Sequence, residues 1–166
     1  MLTLEKLKQE VEYKPLTGFF YRLKTHRTVK VGDIAGGNHR LSNHSKEYVR
    51  VGVLGKYYAA HRLAWFYMTG AWPTKNIDHI NQNSLDNRWV NLRECSHQEN
   101  GKNQKKYINN TTGVTGVQLR PSGKWRARIY HQGKHISLGN FASFEDAVAA
   151  RELAHKEYGF HENHGK

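Results

Sequence analysis

From Gly101 to Thr112 the chain reads Gly-Lys-Asn-Gln-Lys-Lys-Tyr-Ile-Asn-Asn-Thr-Thr. This stretch is polar, basic and poor in the apolar residues a buried strand or core-facing helix requires. Apolar periodicity lies on both sides of it, so a chain of 166 residues is expected to build two small cores rather than one. The second half of the stretch reads as a linker and sets a boundary near Asn109, with one domain over 1–108 and another over 109–166. No internal repeat relates the two halves.

In the first domain, Leu4, Leu7 and Val11 recur at helical spacing and predict a short amphipathic helix. From Gly18 to about Ala60 the pattern is β. Phe19-Phe20-Tyr21, Lys30-Val31-Gly32 and Tyr48 to Val53 read as strands, Gly36-Gly37-Asn38 as a loop, and Leu54-Gly55-Lys56 as a turn into Tyr57 to Ala60. His61 to Met68 predicts a helix stopped by Gly70 and Pro73. A strand at Ile77 to Ile80 follows, then a polar loop from Asn81 to Asn87, a strand at Trp89 to Arg93 and a helix from about Ser96. In the second domain, Gly116 to Arg120 and Lys124 to Tyr130 alternate around a Pro121-Ser122-Gly123 turn. Gln132-Gly133-Lys134 turns into His135 to Gly139, and Ser143 to Tyr158 predicts a helix whose Ser143 and Asp146 resemble a capping box. The class expected is α+β.

Charge narrows the partners. Lys and Arg number 26 against 14 Asp and Glu, a formal charge of +12, which favours a polyanion. The cations are spread over strands, turns and helices alike, unlike the one-sided basic helix of a membrane-surface protein. Cys95 is the only cysteine, so intrachain disulfides and C-x-x-C zinc knuckles are excluded and a reducing, cytoplasmic setting is expected. No apolar run of signal-peptide or membrane-spanning length is present, and no membrane partner is expected.

The order Asp78-His79, Asn91, Asn100 on a strand-loop-strand-helix frame resembles the HNH nucleases of the ββα-metal (His-Me finger) fold. The pattern resembles the phage-borne and intron-borne homing endonucleases in particular. It runs through Gly18-Phe19, Ala35-Gly36, Tyr48, His61-Arg62-Leu63-Ala64, Gly70, Pro73, Ile77 to Ile80, Asn87-Arg88, Asn91-Leu92-Arg93, Asn100 and Asn103. Such a site hydrolyses a phosphodiester, which needs a deprotonated water, a cation on the phosphate oxygens and help for the departing 3′-oxygen. His79 suits the general base, because an unperturbed imidazole titrates closest to working pH. Asp78 and Asn100 supply hard oxygen ligands for one divalent metal, Mg²⁺ or Mn²⁺ rather than Zn²⁺. Adjacent strand residues point to opposite sides, so Asp78 and His79 are expected to flank one phosphate from two directions. The resemblance assigns Asn91 to bracing the loop that orients the base. Asn100 stands where the family's name has a His, as in the HNN subgroup, and His97 is a substitute ligand one helical turn earlier. His61 and Arg62 read either as packing plus a solvent-facing cation or as a phosphate contact. Tyr57, Tyr58, Trp65 and Trp89 read as core and hairpin packing.

The C-terminal stretch, with Gly116-Val117, Arg120-Pro121, Gly123-Lys124-Trp125, Ile129, Leu138-Gly139, Phe141 and an Ala-rich helix, resembles the plant ethylene-response-factor (Apetala-two) DNA-binding domain. That family lays a three-stranded antiparallel sheet in the major groove. Alternation alone puts Val117, Leu119, Trp125, Ala127 and Ile129 on an apolar face for the helix to cover. It puts Gln118, Arg120, Lys124, Arg126 and Arg128 on an open cationic face suited to double-stranded DNA. Gln118 and Ser137 stand where plant members usually present Arg and Trp, and His135 holds another such position, so the plant target sequence does not transfer. The expectation is a monomeric, metal-dependent, site-directed DNA endonuclease of homing type that nicks first, since no heptad seam advertises a dimer. The alternative is a DNA-binding regulator with a silent nuclease fold. An RNA-binding role ranks third, no aromatic-rich stacking surface being evident.

Overall fold

Thr3 opens the first helix: its side chain accepts from the Lys6 backbone N–H, and α1 runs from Leu4–Glu10 with Leu7 fully buried. The computed structural model describes residues 1–40, 47–103, 106 and 109–165, with backbone only at 97 and 98. Gln104, Lys105, Tyr107 and Ile108 of the expected linker, and the side chain of His97, lie outside the described residues. Among the described residues the fold is mixed, with small antiparallel sheets and four α-helices. The chain divides into two units, Met1–His97 and Gln98–Lys166. This division precedes the composition break near Asn109. Among the described residues, no helix is long and apolar enough to cross a membrane.

In the first unit, β1 (Val11–Lys14), β2 (Phe19–Arg22) and β3 (Ile34–Ala35) form one sheet, and β4 (Gly37–Arg40), β5 (Glu47–Val53) and β6 (Lys56–Ala59) another. Leu54 and Gly55 both have positive φ (49° and 75°), the conformation of a two-residue hairpin turn that matches strand twist. α2 (Ala60–Thr69) follows β6 and ends at Gly70. β7 (Asn76–His79) pairs with β8 (Leu92–Cys95), which follows a 3₁₀ turn at Trp89–Asn91. α3 (His97–Gly101) comes next. The core gathers Leu7, Val11, Phe20, Val51, Val53 and Leu63, apolar side chains whose removal from water drives the collapse.

Several sequence expectations need correction here. The helix expected over Leu4, Leu7 and Val11 ends at Glu10, and Val11 instead opens the strand Val11–Lys14, in which alternate residues Val11 and Tyr13 are buried. Lys30 to Gly32 is not a strand: Lys30 lies outside any element and residues 31 and 32 are turn, the pairing strand being β3. The loop expected at Gly36 to Asn38 is confined to Gly36, where φ is +116° and a Cβ would stand 2.9 Å from the Arg50 carbonyl oxygen. That bend lets Gly37 start β4 on β5. Trp89 to Asn91 curls into the 3₁₀ turn, so the second strand of the strand-loop-strand-helix frame begins at Leu92. The expected aromatic packing is present as a Trp65–Trp89 contact at 5.2 Å and a stacked Tyr58–Trp72 pair at 5.6 Å. Tyr57 is exposed and crosses Gly52 on the hairpin.

The second unit has β9 (Val117–Leu119), β10 (Trp125–His131) and β11 (Lys134–Phe141) in the order β11-β10-β9, with α4 (Phe144–Glu157) following. The Ser143 side chain accepts from the Asp146 backbone N–H at 3.0 Å, which satisfies one of the four orphan donors of that helix start. Val117, Ala127 and Ala147 are buried together, with Trp125, Leu138, Phe141 and Phe144 packed against them. Leu119 does not join them. It is 51% exposed, because the covered face ends with Val117 and Leu119 lies on the last residue pair of the short strand, opposite Trp125.

Candidate active site

The β7–β8 ladder brings the first group of side chains together. Asp78 is paired directly with Arg93 and His79 with Leu92. Arg93 places Nε and Nη2 on one oxygen of Asp78, Oδ2, at 3.1 and 2.9 Å. The Asp78 side chain is 10% exposed and that of Arg93 34%.

The adjacent residue, His79, keeps different company. It is buried, with its ring 5.2 Å from that of His61 at the start of α2 in an edge-on arrangement, and 6.4 Å from that of Tyr48 on β5. Its Nε2 faces Oδ1 of Asn87 in a long contact of 3.4 Å. Burial, then the neighbouring His79 and Arg62, push the His61 imidazole down to about 3, so His61 is neutral at working pH. Among the described residues its buried Nδ1 meets no hydrogen-bond partner. Of the two readings open for His61, the structure places the ring against His79. The Arg62 guanidinium lies 3.4 Å from the Pro73 carbonyl oxygen.

Asn87 is held from three directions. The Tyr13 hydroxyl donates to its carbonyl oxygen at 2.6 Å, and its own Nδ2 donates to the Leu85 carbonyl at 3.1 Å. Burial and the charge of Asp86 both raise the Tyr13 phenol, which keeps that hydroxyl a donor. From below, the β1–β2 turn presses on the same peptide: a Cβ on Gly18 would lie 2.5 Å from both the Asn87 carbonyl carbon and the Arg88 nitrogen. The Trp89 N–H donates to the Pro15 carbonyl at 3.0 Å. The hairpin and the site loop are thus one packed assembly, and only a glycine fits between them.

Asn91 closes the loop at its other end. Its Oδ1 accepts from the Asn81 N–H at 2.9 Å, its Nδ2 donates to the Asp86 carbonyl at 2.7 Å, and its own carbonyl accepts from the Ile80 N–H at 2.9 Å. One buried amide therefore pins both ends of residues 81–86. Within that loop Asp86 meets Arg88 fork to fork, Nε on Oδ1 at 2.8 Å and Nη2 on Oδ2 at 2.6 Å. The Arg88 guanidinium holds the Asp86 carboxyl below its ordinary range despite its partial burial.

Asn100 lies on α3 in the second unit, half-buried. Asp78, His79 and Asn91 all belong to the first unit. In the sequence, Asn87, Arg93 and Tyr48 stand only as parts of a pattern. An alternating β7 paired with β8 could have flagged Arg93 as the residue opposite Asp78, whereas nothing local could place Asn87 on His79.

On the second unit's sheet, Arg126 sits between Gln118 and Asn140 in register, and its Nη2 donates to Gln118 Oε1 at 3.3 Å. Ala127 and Ile129 are buried on the opposite face, while Gln118, Arg120 and Lys124 are exposed and Arg126 and Arg128 half-exposed. Burial, then the charges of Arg120 and Arg128, lower Arg126. Among the described residues, none of Arg120, Lys124, Arg126 and Arg128 is in an ion pair. A concentration of like charge without counter-ions suits an anionic partner.

Residues 58–102 match the family model described as HNH endonuclease. Neither the comparison with curated proteins nor that with solved structures returns a match. The matched segment runs from β6 to α3 and contains His61, Asp78, His79, Asn87, Asn91, Arg93 and Asn100. The chain carries an HNH endonuclease domain and is, by that class, a DNA-cleaving hydrolase.

Proposed function

We propose that this endonuclease cuts double-stranded DNA at chosen sites, as a homing enzyme of the phage or intron type, with a ββα-metal centre in residues 76–101 and an Apetala-two-like targeting module after it. The observation that carries the reading is the setting of His79, buried within the matched segment with Nε2 facing Asn87 Oδ1. An Nε2–H donated to Asn87 leaves the basic lone pair on Nδ1, the form a general base must take. His79 then removes the proton of the attacking water. Asn87 holds the ring's tautomer, and Asn91 holds the loop that carries Asn87, so the base needs no reorganisation as the reaction begins.

The donor set fits a hard divalent cation. Among the described residues, no group of three or more His, Cys, Asp or Glu is placed to hold a metal, so a closed zinc-type cage is not what these residues build. One carboxylate with an amide oxygen and waters is the kind of site Mg²⁺ or Mn²⁺ accepts. Asp78, with Asn100 carried over from the sequence pattern, would hold that cation, whose charge offsets the charge growing on the phosphate and the departing 3′-oxygen. Gln118, Arg120, Lys124, Arg126 and Arg128 form the DNA-binding face, and one base with one cation makes a nick the first product of a monomer.

The test is to incubate supercoiled plasmid with the full chain and Mg²⁺ or Mn²⁺, beside an EDTA control and His79→Ala. Nicked circles preceding linear DNA are expected. His79→Ala should bind DNA as tightly as the parent and not cut it, because loss of a base removes transition-state and not ground-state contacts. Parent-like cutting by that variant, or by the EDTA sample, refutes the assignment.

A further inference from the structure

We infer that Lys102 is a positioning residue, through which the segment following α4 sets the place of Asn100, an inference that rests on the reading of Asn100 as a metal ligand. α3 has five residues, far below the roughly 12–15 that a helix needs to hold its shape unaided in water, so contacts from elsewhere in the chain must fix it. Its end is tied first to Lys102. The Lys102 N–H donates to the Glu99 carbonyl and the Asn103 N–H to the Asn100 carbonyl, each at 3.1 Å, and Asn103 is buried. Residues 99–103 therefore form one hydrogen-bonded turn, and whatever holds Lys102 holds the backbone of Asn100.

Residues 158–161 hold Lys102 in three ways. Its carbonyl accepts from the His161 N–H at 3.2 Å, its Nζ donates to the Tyr158 carbonyl at 2.6 Å, and its ammonium lies 5.5 Å from the centre of the Phe160 ring. Tyr158 is the C-cap of α4, where free carbonyls and the negative end of the helix dipole favour a cation. This segment is in turn fastened to α4. The Phe160 N–H donates to the His155 carbonyl at 3.0 Å, His155 Nε2 donates to the His161 carbonyl at 2.9 Å, and the guanidinium of the buried Arg151 lies 5.4 Å from the Phe160 ring. α4 itself buries Ala147 with Val117 and Ala127 of the sheet. The cationic sheet, α4, the segment after it and the turn at Asn100 all fall in the second unit, and Lys102 joins the first three to the fourth. A lysine kept only for DNA phosphates would leave its ammonium in solvent, whereas this one is spent on a carbonyl 56 residues further along the chain. Groups that orient a metal ligand generally act in this way, and their loss weakens metal affinity.

The experiment reads metal affinity without cleavage. The full chain is stripped of metal and titrated with Mn²⁺ alone, free Mn²⁺ being read by electron paramagnetic resonance, for the parent, Asn100→Ala, Lys102→Met, Lys102→Arg and the double variant Asn100→Ala with Lys102→Met. Circular dichroism and thermal melts establish that each is folded, and fluorescence anisotropy in EDTA gives its duplex affinity. Lys102→Met should bind Mn²⁺ about tenfold more weakly with its duplex affinity unchanged. Lys102→Arg should return towards the parent, because it keeps a cationic donor that can lie over an aromatic ring. The double variant should bind Mn²⁺ no more weakly than Asn100→Ala alone, since Lys102 acts through that residue. Parent-like Mn²⁺ binding by a folded Lys102→Met overturns the inference, and a fall in duplex affinity alone would identify a phosphate contact instead. Losses that simply add in the double variant overturn it as well. If Lys102→Met does not fold, Phe160→Leu, which removes the ring beneath the ammonium, takes its place with the same expected and refuting results. If Asn100→Ala binds Mn²⁺ like the parent, the ligand reading itself fails and the inference falls with it.

Discussion

Gly18→Ala is expected to damage a catalytic centre that Gly18 does not touch. A Cβ there would sit 2.5 Å from two backbone atoms of the Asn87–Arg88 peptide, at a φ of +77°. Ordinary van der Waals contact begins near 3.4 Å, so the peptide or the β1–β2 turn must yield by about 0.9 Å, the difference between 3.4 and 2.5 Å. The left-handed conformation alone costs about 1–2 kcal/mol for a residue with a side chain, and forced overpacking adds roughly 1–3 kcal/mol. The unit should therefore lose about 2–5 kcal/mol, and the Tyr13–Asn87 bond and the Asn87–His79 contact take up the displacement. A misplacement of that order in a positioning group can lower a rate by about a hundredfold. Urea unfolding measures the first effect, and single-turnover nicking well below the midpoint of denaturation measures the second. Asn87→Ala serves as a reference, since it should match Gly18→Ala in rate with a different loss of stability. If Gly18→Ala unfolds at the parent's urea concentration and nicks at the parent's rate, the coupling of hairpin to base is wrong.

Acid should weaken the first unit through His61. Because the folded imidazole is pushed down to about 3 from an ordinary 6.5, the unfolded chain takes up the proton first. The contribution of His61 is therefore intact above pH 6.5 and is lost progressively as pH falls towards 3. At pH 4.5 the loss is on the order of 2–3 kcal/mol, and a pH series of urea midpoints that is identical for the parent and His61→Phe refutes it. Arg126→Gln with Arg128→Gln should weaken duplex binding and lower the slope of log affinity against log salt by up to about 0.9 for each phosphate contact removed. An unchanged slope in filter binding or fluorescence anisotropy would mean that this face does not carry the DNA.

Local chemistry made part of this architecture legible. Periodicity and a glycine stop placed α2, the Ser143 cap placed α4, and Leu54-Gly55 announced a hairpin, each being decided within a few residues. The misses share a cause. Gly36 bends because β5 lies over it, Lys30 to Gly32 turns because β3 rather than that segment pairs with β2, and Leu119 is exposed because the covered face ends with Val117. At the site, the sequence order of Asp78, His79 and Asn91 could be read directly. The contacts of Asn87 with Tyr13 and Gly18 span more than 60 residues of chain and follow from packing alone. The side of the ladder on which Arg93 meets Asp78 depends on register, which is fixed by the turn between strands and not by either strand's composition.

The second unit's sheet carries a register shift between Ala127 and Arg128, where Ala127 faces Gly139 but Arg128 faces Ser137. Leu138 is the extra residue, and it acts as a key. A plain two-stranded ladder can slide by two residues and keep every side chain on its own face. A ladder with one supernumerary residue cannot, because any slide would set the irregularity against regular backbone and strand its hydrogen bonds. The lateral order of Gln118, Arg126 and Asn140 is thereby locked by a residue on the opposite strand. Side chains on the open face can be exchanged for others of different chemistry while their spacing stays constant, which separates what such a surface reads from how it is ruled.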